Sequence, residues 1–226
     1  WMLVRRCVTR CLPLRRRSVA KGAAHPTRGL RRDGKGERVM EFESFQKIPR
    51  LRRDCIVTEK IDGTNGQILI TEDYQLWIGS RNQWISTPEN RFNTDPFGFA
   101  KWVEANKEQI IAELGVGRHY GEWWGSGIQR GYGLQKGEKR FSLFNTMRWQ
   151  NEPLKLCGVV PVLYEGPFDL TWIDNCLDEL KAKGSRAAPG FMRPEGVVVF
   201  HKAANSLLKQ TIEKDEEPKS RQTEVS

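Results

Sequence analysis

The chain has 226 residues, 38% hydrophobic and 10% aromatic, enough to bury a substantial core; wholesale disorder is excluded, and no apolar run approaches the ~20 residues of a membrane-crossing helix. Five cysteines at 7, 11, 55, 157 and 176, with no C-x-x-C pair, exclude a disulfide scaffold and argue against a structural zinc site, so a reducing, cytoplasmic setting is expected. Of the 37 Lys+Arg and 28 Asp+Glu, residues 1–39 hold 12 and 2, which leaves 25 and 26 for residues 40–226, a net of −1, so bulk charge says nothing about the partners of the folded part.

Residues 1–39 are Arg-rich, acid-poor and interrupted by Gly22, Gly29, Gly34 and Gly36, and are expected to be a disordered tail. They read as an organelle-targeting segment, as a basic arm with salt-sensitive affinity for polyanions, or as non-native sequence ahead of a start at Met40. The last is preferred, because the first residue is Trp and the composition changes at Met40. From Met40 onward one domain is expected, covering residues 40–226. Cys55–Thr58 is β-prone and runs into a turn at Asp62-Gly63. Gln67–Ile70 and Gln75–Ile78 flank Glu72-Asp73 as a hairpin. Asp95-Pro96 predicts a helix with an N-cap and an N1 proline, its apolar face made by Phe99, Trp102, Val103, Ile110, Ile111 and Leu114, and Gly115 its stop. Arg118–Trp123, Phe141–Met147 and Val159–Glu165 are strand candidates. A second helix is expected after Asp169, with Leu170, Ile173, Leu177 and Leu180 on one stripe and Gly184 ending it. Gly196–His201 and Leu207–Ile212 resemble a closing hairpin, and the charged segment beyond Lys214 is expected to fray. Strands outnumber helices without alternating with them, which predicts an α+β fold.

The stretch Thr58-Glu59-Lys60-Ile61-Asp62-Gly63-Thr64-Asn65-Gly66 carries the chemistry. A lysine at the end of a hydrophobic strand, just before a turn, is held rigidly at a sheet edge. Its amine is a poor nucleophile while protonated, and neighbouring cations or desolvation expose the lone pair. On its own the tetrapeptide Lys60–Gly63 reads as a solvated lysine before an ordinary turn.

Later segments change that balance. In order, the chain carries Lys60-Ile61-Asp62-Gly63; Ser80-Arg81-Asn82; Tyr120-Gly121-Glu122-Trp123-Trp124-Gly125-Ser126-Gly127-Ile128-Gln129; Phe141-Ser142-Leu143-Phe144-Asn145; Pro194-Glu195-Gly196-Val197-Val198-Val199; and Leu208-Lys209-Gln210-Thr211. Over residues 55–215 this sequence resembles the covalent nucleotidyltransferase superfamily, most closely ATP-dependent RNA ligases of the RNA ligase 2-like branch. The resemblance implies an ATP-grasp-like adenylyltransferase domain of two antiparallel sheets and flanking helices. It further implies that Lys60 becomes adenylylated, with Lys209 and a divalent ion countering charge on the phosphates. The ion implied is Mg²⁺, or Mn²⁺ in its place, oriented by Glu195. Glu122 would hydrogen-bond the ribose, Glu59, Ile61 and Asn65 would lie near the nucleotide, Phe144 would stack on the base, and Arg81 would bind phosphate. The implied substrate is RNA with 5′-phosphate and 3′-hydroxyl ends; no membrane or obligate protein partner is expected. Only 17 residues follow Lys209, so no appended OB-fold is expected.

Singly, each of these residues has an ordinary structural reading: Glu122 as a solvent-facing strand residue, Glu195 as a strand start, Phe144 as core. Of Trp123 and Trp124, one is expected in the core and the other at the cleft rim. His119, His201, Cys55, Cys157 and Cys176 are assigned to structure. Two departures from the family pattern stand out: Asn145 where an Asp is usual, and Thr211 where a second lysine is usual. The readings that compete are a DNA-nick ligase or another polynucleotide adenylyltransferase, and a non-catalytic nucleotide- or RNA-binding module. Retention of Lys60, Glu122, Glu195 and Lys209 speaks against the last.

Overall fold

A computed structural model describes residues 30–32, 38–40, 44–45, 47–90 and 94–213. Within the first segments, β1 (Leu30–Arg32) pairs antiparallel with β2 (Arg38–Met40), a short hairpin on its own. The expectations for residues 1–29 and for the charged segment beyond 213 lie outside the described residues.

The body from Arg50 onward is α+β, as expected, and is built on two sheets. A four-stranded sheet runs β10-β3-β11-β12, from Val162–Pro167, Asp54–Lys60, Gly196–His201 and Ser206–Thr211. A six-stranded sheet runs β6-β5-β4-β7-β8-β9, from Trp84–Ser86, Leu76–Gly79, Thr64–Ile70, Gly117–Gly125, Lys139–Leu143 and Gly158–Val159. All neighbours are antiparallel except β8 and β9, which are parallel. No helix among the described residues is long and apolar enough to cross a membrane.

Each sheet buries one face under helices, and period-two alternation decides which residues do it. On β4, Gly66, Ile68 and Ile70 face α1 (Phe99–Ala105) and α2 (Lys107–Leu114), packing with Phe99, Val103, Ile110, Leu114, Trp123 and Phe141. On β3 and β11, Cys55, Val57, Val197 and Val199 face α4 (Leu170–Lys183) through Ile173, Cys176, Leu177 and Leu180. Burying each large aliphatic side chain contributes about 1.5–3 kcal/mol. The other faces of the two sheets turn toward each other. At one end of the space between them Ile61, Trp124, Tyr132, Val160 and Ala188 close a third, smaller cluster.

Several expectations need correction. The first helix begins at Phe99, not after Asp95: Gly98 takes φ 73°, and Asp95 still serves the first turn from a distance by accepting the Lys101 N–H at 3.0 Å. The helix also breaks at Asn106, whose side-chain amide donates to the Trp102 carbonyl at 2.7 Å and competes with the backbone ladder. The strand from Phe141 stops at Leu143, because Asn145 caps the short helix α3 (Thr146–Trp149) by accepting the Arg148 N–H. Asn and Asp serve this cap equally well, so the departure at Asn145 is absorbed structurally. The run Val159–Glu165 divides at Pro161 between the two sheets: Val160 N–H donates to Leu143, whereas the Pro161 carbonyl accepts from Glu59. Leu170 is exposed, and Cys176 completes the α4 stripe instead. Both Trp123 and Trp124 are buried; they point to opposite faces, but the turn at Gly131–Gly133 covers the second.

Candidate active site

A cavity of about 610 Å³ opens between the sheets. Its walls come from one face of each. Thr58 and Lys60 lie on the same face of β3; Val198 is the register partner of both Thr58 and Lys209, and Gly196 of both Lys60 and Thr211. From the other sheet come Asn65 and Glu122, themselves register partners, and Arg81 just beyond β5.

Lys60 is the centre of this arrangement. Its Nζ donates to Glu195 Oε2 at 2.5 Å, with the lysine side chain 20% exposed and the glutamate 6%. Glu195 precedes β11, so the cross-strand step from Gly196 to Lys60 brings the two together. Opposite, Glu122 accepts from the Gly63 N–H and from Asn65 Nδ2, both at 3.1 Å. Asn65 Oδ1 in turn accepts from Arg81 Nε at 2.9 Å. Burial pushes the Glu122 carboxyl up to about 7 against the pull of Lys60 and the Gly63 N–H, so it titrates near neutrality. The turn after Lys60 is fixed from its other side: the Asp62 N–H donates to Tyr132 Oη at 2.8 Å, and Arg130 pairs with Asp62 at 3.1 Å.

Gly63 admits no side chain. A Cβ there would run into the Trp123 carbonyl oxygen and meet Trp124 Cβ at 2.8 Å. Gly63→Ala is therefore expected to cost about 1–3 kcal/mol in urea unfolding. A variant within 0.5 kcal/mol of the parent, well under that ~1–3 kcal/mol, would show that the turn has room to spare.

Of the residues singled out from sequence, Lys60, Ile61, Asn65, Arg81, Glu122, Phe144 and Lys209 line the cavity, and Glu195 reaches it through Lys60. Glu59 lines it with backbone only. Its side chain points to the opposite face, where the carboxylate accepts from Ser185 Oγ at 2.5 Å and from the Arg186 and Ala187 N–H groups at 2.8 and 2.9 Å. Alternation along β3 contains the reason: if Lys60 faces the cavity, its neighbour cannot. Ile61 is buried against Trp124 and Tyr132, so it shapes the cavity rather than its chemistry. Thr58 and Val198, standing within the motif blocks without a site role, and Val160 and Phe200 supply much of the remaining wall, and Arg130 and Tyr132, with no cue in the sequence, brace the Lys60 turn. His119 and His201 are structural: His119 is buried and bonded to the Gly115 carbonyl, and His201 lies between the Leu51 carbonyl and the Ala204 N–H.

A carboxylate 2.5 Å from a lysine amine, cations at the rim and a half-buried aromatic ring suit a phosphorylated, ring-bearing ligand held against that amine. The chain belongs to the RNA ligase family, whose model matches residues 53–211. Among solved structures it is similar to an RNA ligase from Naegleria gruberi. A lysine-to-methionine variant of that ligase with AMP and Mn matches at 17% identity and TM-score 0.48, over 71% of this chain and 50% of that one. A glutamate-to-alanine variant with ATP and Mn matches at 17% identity and TM-score 0.49, again over 71% and 50%. This chain thus spans about half the length of those structures. No curated protein matches it.

Proposed function

We propose that this chain is an ATP-dependent RNA ligase working through a lysyl-AMP. The observation that carries the reading is the Lys60 amine, partly exposed in the cavity and held 2.5 Å from a buried carboxylate. Glu195 stands where it can take the proton that Lys60 must lose. The freed lone pair attacks the α-phosphorus of ATP; an N–P bond forms, the bond to the bridging oxygen breaks, and its electrons leave with pyrophosphate. Arg81 and Lys209, on opposite walls, offset charge that builds on the phosphate oxygens. Phe144 offers the base a flat face, and Glu122 stands within the cavity to accept from, or when protonated donate to, the ribose. AMP then passes to an RNA 5′-phosphate, and a 3′-hydroxyl displaces it to seal the strand.

The donor set fits a hard divalent ion. Glu195 and Glu122 offer carboxylate oxygens, the donors that suit Mg²⁺ or Mn²⁺ completed by water and substrate phosphates. Glu195 would hold it, and the ion would supply positive charge beside the phosphates; one of the Naegleria ligase structures is with AMP and Mn and another with ATP and Mn.

Intact mass spectrometry after incubation with ATP and Mg²⁺ tests the reading. A gain of one AMP is expected, followed by sealing of 5′-phosphorylated RNA; no gain with either Mg²⁺ or Mn²⁺ refutes it. Competition between nicked RNA and nicked DNA decides between RNA ligase and DNA-nick ligase.

Thr211 lies on the register row of Gly196 and Lys60, two strands from the amine, roughly 10 Å across the sheet. Thr211→Lys is expected to add a cation to the phosphate side of the cavity and to raise the single-turnover rate of AMP transfer several-fold. An unchanged rate would show that the family's second lysine is dispensable here.

A further inference from the structure

The cavity-facing side of the six-stranded sheet does not end at the cavity. Beyond Asn65 and Glu122 the same face of β4, β5, β6 and β7 carries Gln67, Leu69, Trp77, Trp84, Arg118 and Tyr120. Register places them together: Gln67 opposite Gly79 and Tyr120, Leu69 opposite Trp77 and Arg118, Trp84 opposite Gly79. Gly79 is bare for a reason, since a Cβ there would meet Gln67 Cγ at 2.9 Å and Trp84 Cε3 at 3.0 Å. Trp77 and Trp84 stand edge to face with centroids 5.5 Å apart. Arg118 lies over the Trp84 ring at 5.3 Å, its guanidinium held by Gln67 Oε1 at 2.8 Å.

Two tryptophans, a tyrosine and a fixed arginine are thus half-buried or exposed on one open sheet face, with no acidic side chain among them. The strip is continuous with the reactive site through hydrogen bonds: Gln67 donates to the Ser80 carbonyl at 3.0 Å, and the next residue, Arg81, donates to Asn65. From Asn65 to Leu69 it extends roughly 13 Å, the span of a few stacked nucleotides.

We infer that this face binds the single-stranded segment of the RNA substrate next to the end being joined, by stacking bases on Trp77, Trp84 and Tyr120 and on the outer face of the Arg118 guanidinium. Planar rings and a planar cation accept any base, which suits an enzyme whose chemistry concerns only the ends. The inference rests on the RNA-ligase reading above for the identity of the strand. Residues 40–226 carry a net charge of −1, so the face relies on stacking, and its affinity declines gently with salt.

The test is fluorescence-anisotropy binding of a labelled 5′-phosphorylated oligoribonucleotide to the full chain without ATP, so that binding is read apart from AMP transfer. Trp84→Ala and Trp77→Ala are each expected to weaken binding roughly ten-fold, Trp84→Phe to recover most of the loss, and Arg118→Gln to weaken it several-fold. The oligonucleotide should also quench tryptophan emission of the parent protein, a readout that needs no variant. Unchanged affinity in Trp84→Ala and Arg118→Gln, or binding without quenching, overturns the inference, as does a face that takes no oligonucleotide at all. An intact AMP gain beside failed RNA binding refutes this face alone; binding through Trp84 without any AMP gain refutes the enzyme reading instead.

Discussion

Lys60→Arg protein is expected to take up no AMP from α-³²P-labelled ATP while folding as well as the parent. The two halves of that result have separate causes. Arginine keeps a cation beside Glu195, whose side chain is 6% exposed, so the buried charge keeps this partner. Its guanidinium never surrenders a proton at working pH and provides no lone pair for attack. Lys60→Ala should lose the label as completely and unfold somewhat more easily, because it takes the lysine cation away from a buried carboxylate. The double variant Lys60→Ala, Glu195→Gln should regain much of that stability and none of the label. Label retained in Lys60→Arg would move the nucleophile elsewhere and remove the basis of the mechanism.

The chemistry of the reactive turn was legible only from the order of the later blocks, whereas its conformation was legible from local cues: a β-prone run, then a lysine, then Asp62-Gly63. The architecture was legible at the same level, from α4 with its Asp169 cap and Gly184 stop to the closing hairpin of β11 and β12. The resemblance gathers Asn65, Glu122 and Glu195 into one site with Lys60, but the contacts they make, and the brace from Arg130 and Tyr132, have no cue in the sequence. Asn65 and Glu122 are 57 residues apart, Lys60 and Glu195 135, both brought together by sheet register, while Asp62 and Tyr132, 70 apart, meet between two turns. That Glu59 meets the cavity by its backbone while its carboxylate turns away was readable in the sequence, since alternation on a strand forbids Glu59 and Lys60 from sharing a face. Trp124 had no such cue: the turn that covers it is built around Tyr132 at φ 52°, a left-handed conformation that its residue type does not announce. Pro161 was a readable break, because a residue without an N–H seldom sits inside a central strand.

Strand β7 carries two buried titratable groups of opposite behaviour on opposite faces, and their effects on stability should cancel in the parent protein and separate in variants. His119 packs against Trp149 on the helix side, where burial holds its imidazole down to about 4, from an ordinary 6.5. Between pH 6.5 and 4 the unfolded chain therefore takes up a proton that the folded one refuses, and stability falls as the solution is acidified. Glu122 faces the cavity, where burial raises its carboxyl from 4.5 to about 7. Between pH 4.5 and 7 the folded chain holds the extra proton, so stability rises on acidification and is lost as pH climbs through 7. Each contribution amounts to roughly 3 kcal/mol across its window. Urea unfolding from pH 4.5 to 7.5 should accordingly show His119→Gln gaining stability toward acid relative to the parent, and Glu122→Gln losing it. Other groups such as Glu59 and Glu113 contribute the same background to all three proteins, so the differences isolate the two residues on β7. Three parallel profiles would mean that neither side chain is desolvated as its burial implies, and that Glu122 meets the nucleotide as an ordinary carboxylate.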